Sequence, residues 1–192
     1  MSLFLLRHGE TQGPGGFRGR LDHPLSEQGW SSMRAAALAL PPWELIISSP
    51  LERCRAFAEW LASMQDVECK LEPDLRELDF GDWEGRTAAE LMEGQADALG
   101  QFWADPYSFT PPNGEPVATF EQRVLGAMER IVRRTADTRA LVVTHGGVIR
   151  LLLARQQGLP RKDLLQVEVP YASLHAFEAS ALSDTYPPCC PS

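Results

Sequence analysis

The sequence predicts an α/β protein whose central sheet is at least partly parallel and carries helices on both faces. Three observations predict it. Leu3–Leu6, Leu45–Ile47 and Ala140–Val143 are short continuous apolar runs, the pattern of strands buried on both sides. Each run is followed by a longer stretch with helix-start signals or helical apolar spacing, which is βα alternation. The 192 residues, 44% hydrophobic and 23% charged, suffice for one domain that buries roughly 70% of its unfolded surface without disulfides or a structural metal.

After the first strand, Ser26 is placed to cap a helix, with Leu25 and Trp30 at the two positions of a hydrophobic staple, and Pro41-Pro42 bounds it. After the second strand, Ser49-Pro50-Leu51-Glu52 reads as a helix start in which Ser49 is the cap, Pro50 the first helical residue and Glu52 the end of a capping box. Thr119-Phe120-Glu121-Gln122 repeats that logic, and Phe120, Val124, Met128, Ile131 and Val132 follow as a core stripe. The strand at Ala140–Val143 leads into a helix over Val148–Gln157 that Gly158 closes. The last strands are expected at Gln166–Val169 and Ser173–Phe177.

Residues 93–116 break the alternation. Rich in Gly and Pro, with Phe102, Trp103, Tyr107 and Phe109 among them, they are expected to form an irregular insert over the site, one wall of a cleft. Residues 1–180 are expected to form the single domain, and 181–192, with Pro187, Pro188 and Pro191, a mobile tail.

The formal charge of −8 argues against nucleic acid and anionic membranes as partners, because both require a basic footprint. It does not argue against a small anion, which a few local arginines capture. No run approaches the ~20 apolar residues of a membrane span, and the opening Met1–Leu6 is too short and lacks the basic flank of a secretion signal. Cys54, Cys69, Cys189 and Cys190 show no metal-ligand spacing, so the expectation is reduced thiols in a cytoplasmic protein with no bound metal. Nothing in the sequence sets an oligomeric state.

Two histidine motifs stand where strands should end: Arg7-His8-Gly9-Glu10-Thr11 after the first, and Thr144-His145-Gly146-Gly147 after a later one. Carboxyl ends of strands form the ligand crevice of open α/β sheets, so both histidines are carried to one edge. A helix N-terminus with a nearby arginine is an anion site, and the helix after Ser49 offers Arg53 and Arg55, about 200° apart, of which only one can face a given ligand. In Leu75–Gly85 the acidic residues among aromatics and glycines read either as a solvated loop or as the source of one carboxyl acid held against apolar surface.

Taken together, Arg7–Thr11, Ser48–Arg53, Leu75–Glu77 with Phe80–Gly85, and Thr144–Arg150 resemble in order and spacing the phosphoglycerate-mutase-like branch of the histidine phosphatase superfamily, over Leu3 to about Phe177. The resemblance implies a three-layer α/β/α sandwich around a mostly parallel sheet, and a phosphohistidine mechanism on phosphomonoesters without metal or organic cofactor. It implies His8 as nucleophile, Glu77 as proton donor, and Arg7, Arg53, His145 and Gly146 around the phosphate. It selects Arg53 over Arg55. His145 is expected as a cationic or hydrogen-bonding partner of the transferred group. Many relatives place a phosphate-contacting asparagine near Pro14-Gly15-Gly16; none stands there, so Thr11, Gln12 or backbone is expected to substitute, in a substrate loop with Arg18 and Gly19.

The loop Gly15–Asp22 with Leu25–Trp30 looks like the corresponding segment of bacterial α-ribazole phosphatases of cobalamin biosynthesis. Phe102, Trp103, Tyr107 and Phe109 would then either stack on a benzimidazole or simply pack the core. A broader small-molecule phosphatase is the alternative. A mutase ranks lower, because Gly85–Glu115 holds one basic residue, Arg86, with which to hold a substrate carboxylate. A non-catalytic phosphate-binding module would have no chemical use for Glu77. His23 and His175 have no assigned partner.

Overall fold

The computed structural model describes residues 2–135 and 138–182. Five strands form one sheet in the order β3-β2-β4-β1-β5, with β1 at Ser2–Arg7, β2 at Leu45–Ser48, β3 at Glu68–Leu71, β4 at Arg139–Thr144 and β5 at Leu174–Phe177. Strands β1 to β4 are parallel to their neighbours, and β5 joins β1 antiparallel. Helices α1 (Glu27–Leu38) and α2 (Glu52–Gln65) share one core cluster; α3 (Ala88–Ala104), α4 (Val117–Arg134) and α5 (Gly146–Gln156) share the other.

The sheet is apolar on both faces because its three inner strands alternate between two cores. Leu3, Leu5, Leu45, Ile47, Ala140 and Val142 join the α3–α5 cluster. Leu6, Ile46, Leu141 and Val143 join the α1–α2 cluster. That is why these runs are continuous rather than alternating.

The chain leaves β1 for α1 on one face and leaves the adjacent β4 for α5 on the other. The carboxyl ends of β1 and β4 therefore flank a topological switch point, where a crevice opens. His8 and His145 follow those two strands.

The cap on α1 is as expected: Ser26 accepts from the Gly29 N–H at 3.0 Å. So is the end of α5. Gly158 has φ +66°, its N–H reaches Arg155 O at 3.0 Å, and the Leu159 N–H reaches Ala154 O at 2.9 Å, a Schellman closure.

Several elements differ from expectation. Helix α2 begins later: Leu51 is its N-cap, and the Glu52 N–H is taken by Asp22 Oδ1 at 2.8 Å, because the Ser49 hydroxyl is engaged with His145. Helix α4 begins at Val117 behind Pro116, two residues before the predicted box, and Thr119 lies inside its first turn. Gln166–Val169 forms no strand. Its carbonyls turn to arginines instead, Val167 O accepting from Arg150 and Val169 O from Arg7. The edge strand β3 was not anticipated; Glu68-Cys69-Lys70-Leu71 is too polar and exposed to read as buried.

The segment 93–116 is helical in its first half and irregular in its second, from Asp105 to Pro116. Its first part completes α3, which a Thr87/Glu90 capping box starts and which kinks at Gln95, where Trp83 Nε1 donates to Gln95 Oε1 at 2.8 Å. Of the expected tail, Ala181 and Leu182 end a 3-10 turn, and the remainder, with Cys189 and Cys190, lies outside the described residues.

The exit of β1 crosses the first turn of α1 at backbone contact: a Cβ on Gly29 would stand 2.1 Å from Glu10 O, and one on Gly9 would stand 2.4 Å from Gly29 O. In an open helix Gly→Ala gains up to about 1 kcal/mol. Here Gly29→Ala is expected to cost about 1–3 kcal/mol by overpacking, lowering the urea midpoint at constant m-value; a raised midpoint would refute the close crossing.

Candidate active site

The crevice at the switch point is a cleft of about 560 Å³. Arg7, His8, Glu77 and Gly146 line its polar end, and Phe17, Phe80, Phe102 and Trp103 its apolar wall.

His8 is 5% exposed. Its Nδ1 lies 2.8 Å from its neighbour's carbonyl, Gly9 O, which fixes Nδ1 as the protonated nitrogen and leaves Nε2 with the lone pair. Its backbone is clamped by the sheet, the His8 N–H donating to Thr144 O at 2.9 Å. His145 packs edge-on to it, ring centroids 5.3 Å apart.

Two guanidinium groups flank the histidines. Arg53 is wholly buried in α2 and donates to Leu21 O at 2.7 Å and Gly19 O at 2.9 Å. Arg7 donates to Val169 O and lies 4.0 Å over the Tyr171 ring. In both side chains Nε is buried without a hydrogen-bond partner. Each such donor costs about 1–3 kcal/mol, and an oxyanion is the acceptor that two guanidinium groups select. Gly146 makes the room: a Cβ there would stand 3.0 Å from Arg7 Nε.

Glu77 is fixed by backbone at both oxygens, Oε1 accepting from the Leu78 N–H at 3.0 Å and Oε2 from the Gly147 N–H at 2.9 Å. A Cβ on Gly147 would stand 2.3 Å from Oε1 and would push the carboxyl group out of this position. Its carboxyl group and the His8 ring thus face one cleft from different elements. Among the described residues, no group of three or more His, Cys, Asp or Glu side chains is arranged to hold a metal ion.

With this geometry in view, the chain can be compared with known proteins. A profile of the histidine phosphatase superfamily (branch 1) matches residues 3–182. The chain belongs to that family. It is 32% identical to the adenosylcobalamin/alpha-ribazole phosphatase of Salmonella typhimurium, over 93% of this chain and 90% of the relative. It is 33% identical to the glucosyl-3-phosphoglycerate phosphatase of Mycolicibacterium vanbaalenii, over 82% and 75%. The structure of Bacillus stearothermophilus YhfR superposes with a TM-score of 0.83 at 30% identity, over 90% of this chain and 88% of that one. The three-layer fold is thus that of a histidine phosphatase.

Within this histidine phosphatase the expected residues divide. Arg7, His8, Glu77, Gly146 and Arg18 line the cleft, while Arg53 and His145 are fully buried beside it. Arg55 is turned outward and pairs with Glu52 and Glu59. Thr11, Gln12 and Gly19 do not line the cleft. Thr11 bridges to Leu25, Gln12 Nε2 donates to Leu25 O at 3.1 Å, and Gly19 lies against Leu78 O, where a Cβ would be 2.0 Å away. Their work is to shape the loop. Of the expected aromatics, Phe102 and Trp103 reach the cleft, whereas Phe109 stacks on Trp83 at 5.6 Å and Tyr107 lies by Arg161.

Three residues of the site were not anticipated. Glu84 gathers the N–H groups of Gly19, Arg20, Leu21 and Phe80, the counterpart of Arg53, which gathers the same loop's carbonyls. Arg150 lines the cleft one helical turn after Gly146, a spacing that could have revealed it. Tyr171 had no signal in the sequence; the antiparallel return into β5 brings it over Arg7.

Burial, followed by the Arg53 charge, pushes the His8 pKa down to about 3, with Arg7 and Arg18 adding to it and the Gly9 hydrogen bond opposing. Burial and Arg53 hold His145 well below the ordinary value too, so it is a neutral partner of His8 rather than the cation that was one of its two expected forms. Both folded values lie below the unfolded ~6.5. Their contribution to stability is therefore full above that value and is lost as pH falls through it towards the folded values. In a histidine NMR titration of the free protein, His8 is expected to stay neutral to below pH 5; a midpoint near 6.5 would contradict the burial and charge argument.

Proposed function

We propose that this histidine phosphatase hydrolyses phosphomonoesters through a phosphohistidine on His8, with Glu77 as acid and base. The observation that carries the reading is a neutral histidine, its Nδ1 occupied by Gly9 O, beside two guanidinium groups whose buried Nε donors have no partner. His8 Nε2 attacks phosphorus as the ester P–O bond breaks, and Glu77 protonates the departing alkoxide. Water then attacks the phosphohistidine, giving its proton to Glu77, and the P–N bond breaks to release inorganic phosphate and neutral His8. Arg7 and Arg53 neutralise the equatorial oxygens in both steps. His145 keeps its Nε2 on Ser49 Oγ at 2.7 Å and supports the His8 ring.

For the substrate we infer a phosphomonoester with an aromatic base, α-ribazole 5′-phosphate first. What supports it is the likeness to α-ribazole phosphatases at about a third identity and a cleft with an aromatic wall whose rim residue, Trp103, is 48% exposed and free to stack. A second reading, a broader phosphatase that also takes acidic esters, is favoured by Arg150, which brings a further cation to the cleft from α5. Water is favoured over a mutase acceptor, since Arg86, the one basic residue of 85–115, spends its guanidinium on Glu90 O at 3.2 Å.

His8→Ala is expected to remove turnover by about 10³-fold or more. Glu77→Gln should lower kcat/KM, which reports the leaving-group step, by about 10²–10⁴-fold for an alkyl phosphate and by less than about tenfold for p-nitrophenyl phosphate, whose leaving group needs no proton; equal losses would sink the acid role. Trp103→Ala should lower kcat/KM about tenfold for α-ribazole 5′-phosphate and leave glycerol phosphate unchanged. If 3-phosphoglycerate outcompetes α-ribazole 5′-phosphate at equal concentration, and Arg150→Ala reverses that, the second reading replaces the first.

A further inference from the structure

The segment that presents Glu77 belongs to no strand and no helix. Residues 76–80 run between two short 3-10 turns, Pro73–Leu75 and Gly81–Trp83, where no ladder takes up backbone carbonyls. Yet the four consecutive carbonyls that lead into it, from Asp74 in the first turn to Glu77, are satisfied by only two side chains. Leu75 O accepts from Thr144 Oγ1 at 2.9 Å. The other three converge on Arg123 of α4: Asp74 O and Arg76 O each accept from Nη1 at 2.7 Å, and Glu77 O accepts from Nη2 at 3.0 Å.

The remaining donors of Arg123 are used as well. Nε and Nη2 donate to the two oxygens of Glu115 at 2.7 and 2.8 Å, a bidentate pair with both side chains less than a fifth exposed. Glu115 is in turn tied to the same segment by its N–H, which donates to Asp79 O at 2.9 Å. The Phe120 ring, 4.9 Å from the guanidinium carbon, closes one face. An arginine whose every N–H is spent, three of them on carbonyls within four residues of one segment, is poorly explained as a surface ion pair. It reads as a jig.

We propose that Arg123, oriented by Glu115, is a positioning residue for Glu77. It does not line the cleft. It sets the backbone from which Glu77 reaches the Leu78 and Gly147 N–H groups, and so where the carboxyl group stands relative to the ester oxygen. The inference rests on the reading of Glu77 as acid and base. Proton transfer is sensitive to such placement, and an error of about 1 Å can cost about 10²-fold. The phosphate clamp is held by β1, α2 and α5, elements that Arg123 does not brace.

The test compares Arg123→Ala, Arg123→Lys, Glu115→Gln and Glu77→Gln on glycerol phosphate and p-nitrophenyl phosphate, with inhibition by inorganic phosphate and a thermal melt for each. Arg123→Ala is expected to lower kcat/KM on glycerol phosphate about 10- to 100-fold and on p-nitrophenyl phosphate less than about threefold, with phosphate inhibition within about twofold. Arg123→Lys and Glu115→Gln should shift the same ratio less, and they decide the matter if the alanine variant does not fold. General loosening would slow both esters alike, and that result overturns the proposal. So does an unchanged ratio in variants that fold, provided Glu77→Gln itself discriminates between the esters. If Glu77→Gln does not discriminate, it is the acid role that falls, and the proposal with it.

Discussion

The buried guanidinium of Arg53 is the constraint around which the site is built. Burying a full charge is tolerable only when most of its donors are matched, and here the terminal Nη donors are matched by carbonyls of one loop, Gly19 O and Leu21 O at hydrogen-bond distance, while Nε has no partner. That requirement folds the loop over α2. Glu84 then collects the loop's N–H groups from the other side, so Gly19 and Leu21 are each held by a cation through the carbonyl and by an anion through the amide. Asp22, at the end of the loop, lies 3.6 Å from Arg53 and caps α2. The same charge holds down the pKa of both histidines.

The sheet brings the rest to that point. Because β1 and β4 are adjacent and lead to opposite faces, Arg7-His8 and His145-Gly146 arrive together without long loops. Two glycines leave the side chains where they stand: Gly146 makes room for Arg7, and Gly147 for Glu77. The net charge of −8 therefore belongs to the outer surface, while Arg7, Arg18, Arg53 and Arg150 gather at the cleft. Such a distribution disfavours polyanions and concentrates positive potential on one small phosphate.

What the sequence made legible follows from where the information is local. Three strands buried on both faces were readable from their apolar runs, the α1 cap from Ser26, and the convergence of His8 and His145 from the rule for strand ends. Signals that tertiary partners took over were misread. Ser49 looked like a cap and is a partner of His145; Gln166–Val169 looked like a strand, but arginine side chains claim its carbonyls. The Gly and Pro content of 93–116 hid a helix whose capping box at Thr87 begins before that segment. Glu84, Tyr171 and Arg123 act across long sequence separations, and no spacing rule reaches them. Arg150 was within reach, one turn beyond Gly146.

The central claim is that the phosphoryl group rests on His8 before it meets water. The stereochemical course at phosphorus tests this most directly, because each in-line displacement inverts configuration. Hydrolysis of a chiral, heavy-oxygen-labelled phosphorothioate ester in water carrying the third oxygen isotope, or transfer of an isotopically chiral phosphoryl group to an added alcohol, is predicted to give overall retention, the outcome of two successive inversions. Overall inversion would mean that water or alcohol attacks the ester directly, with His8 as a bystander, and would contradict the account.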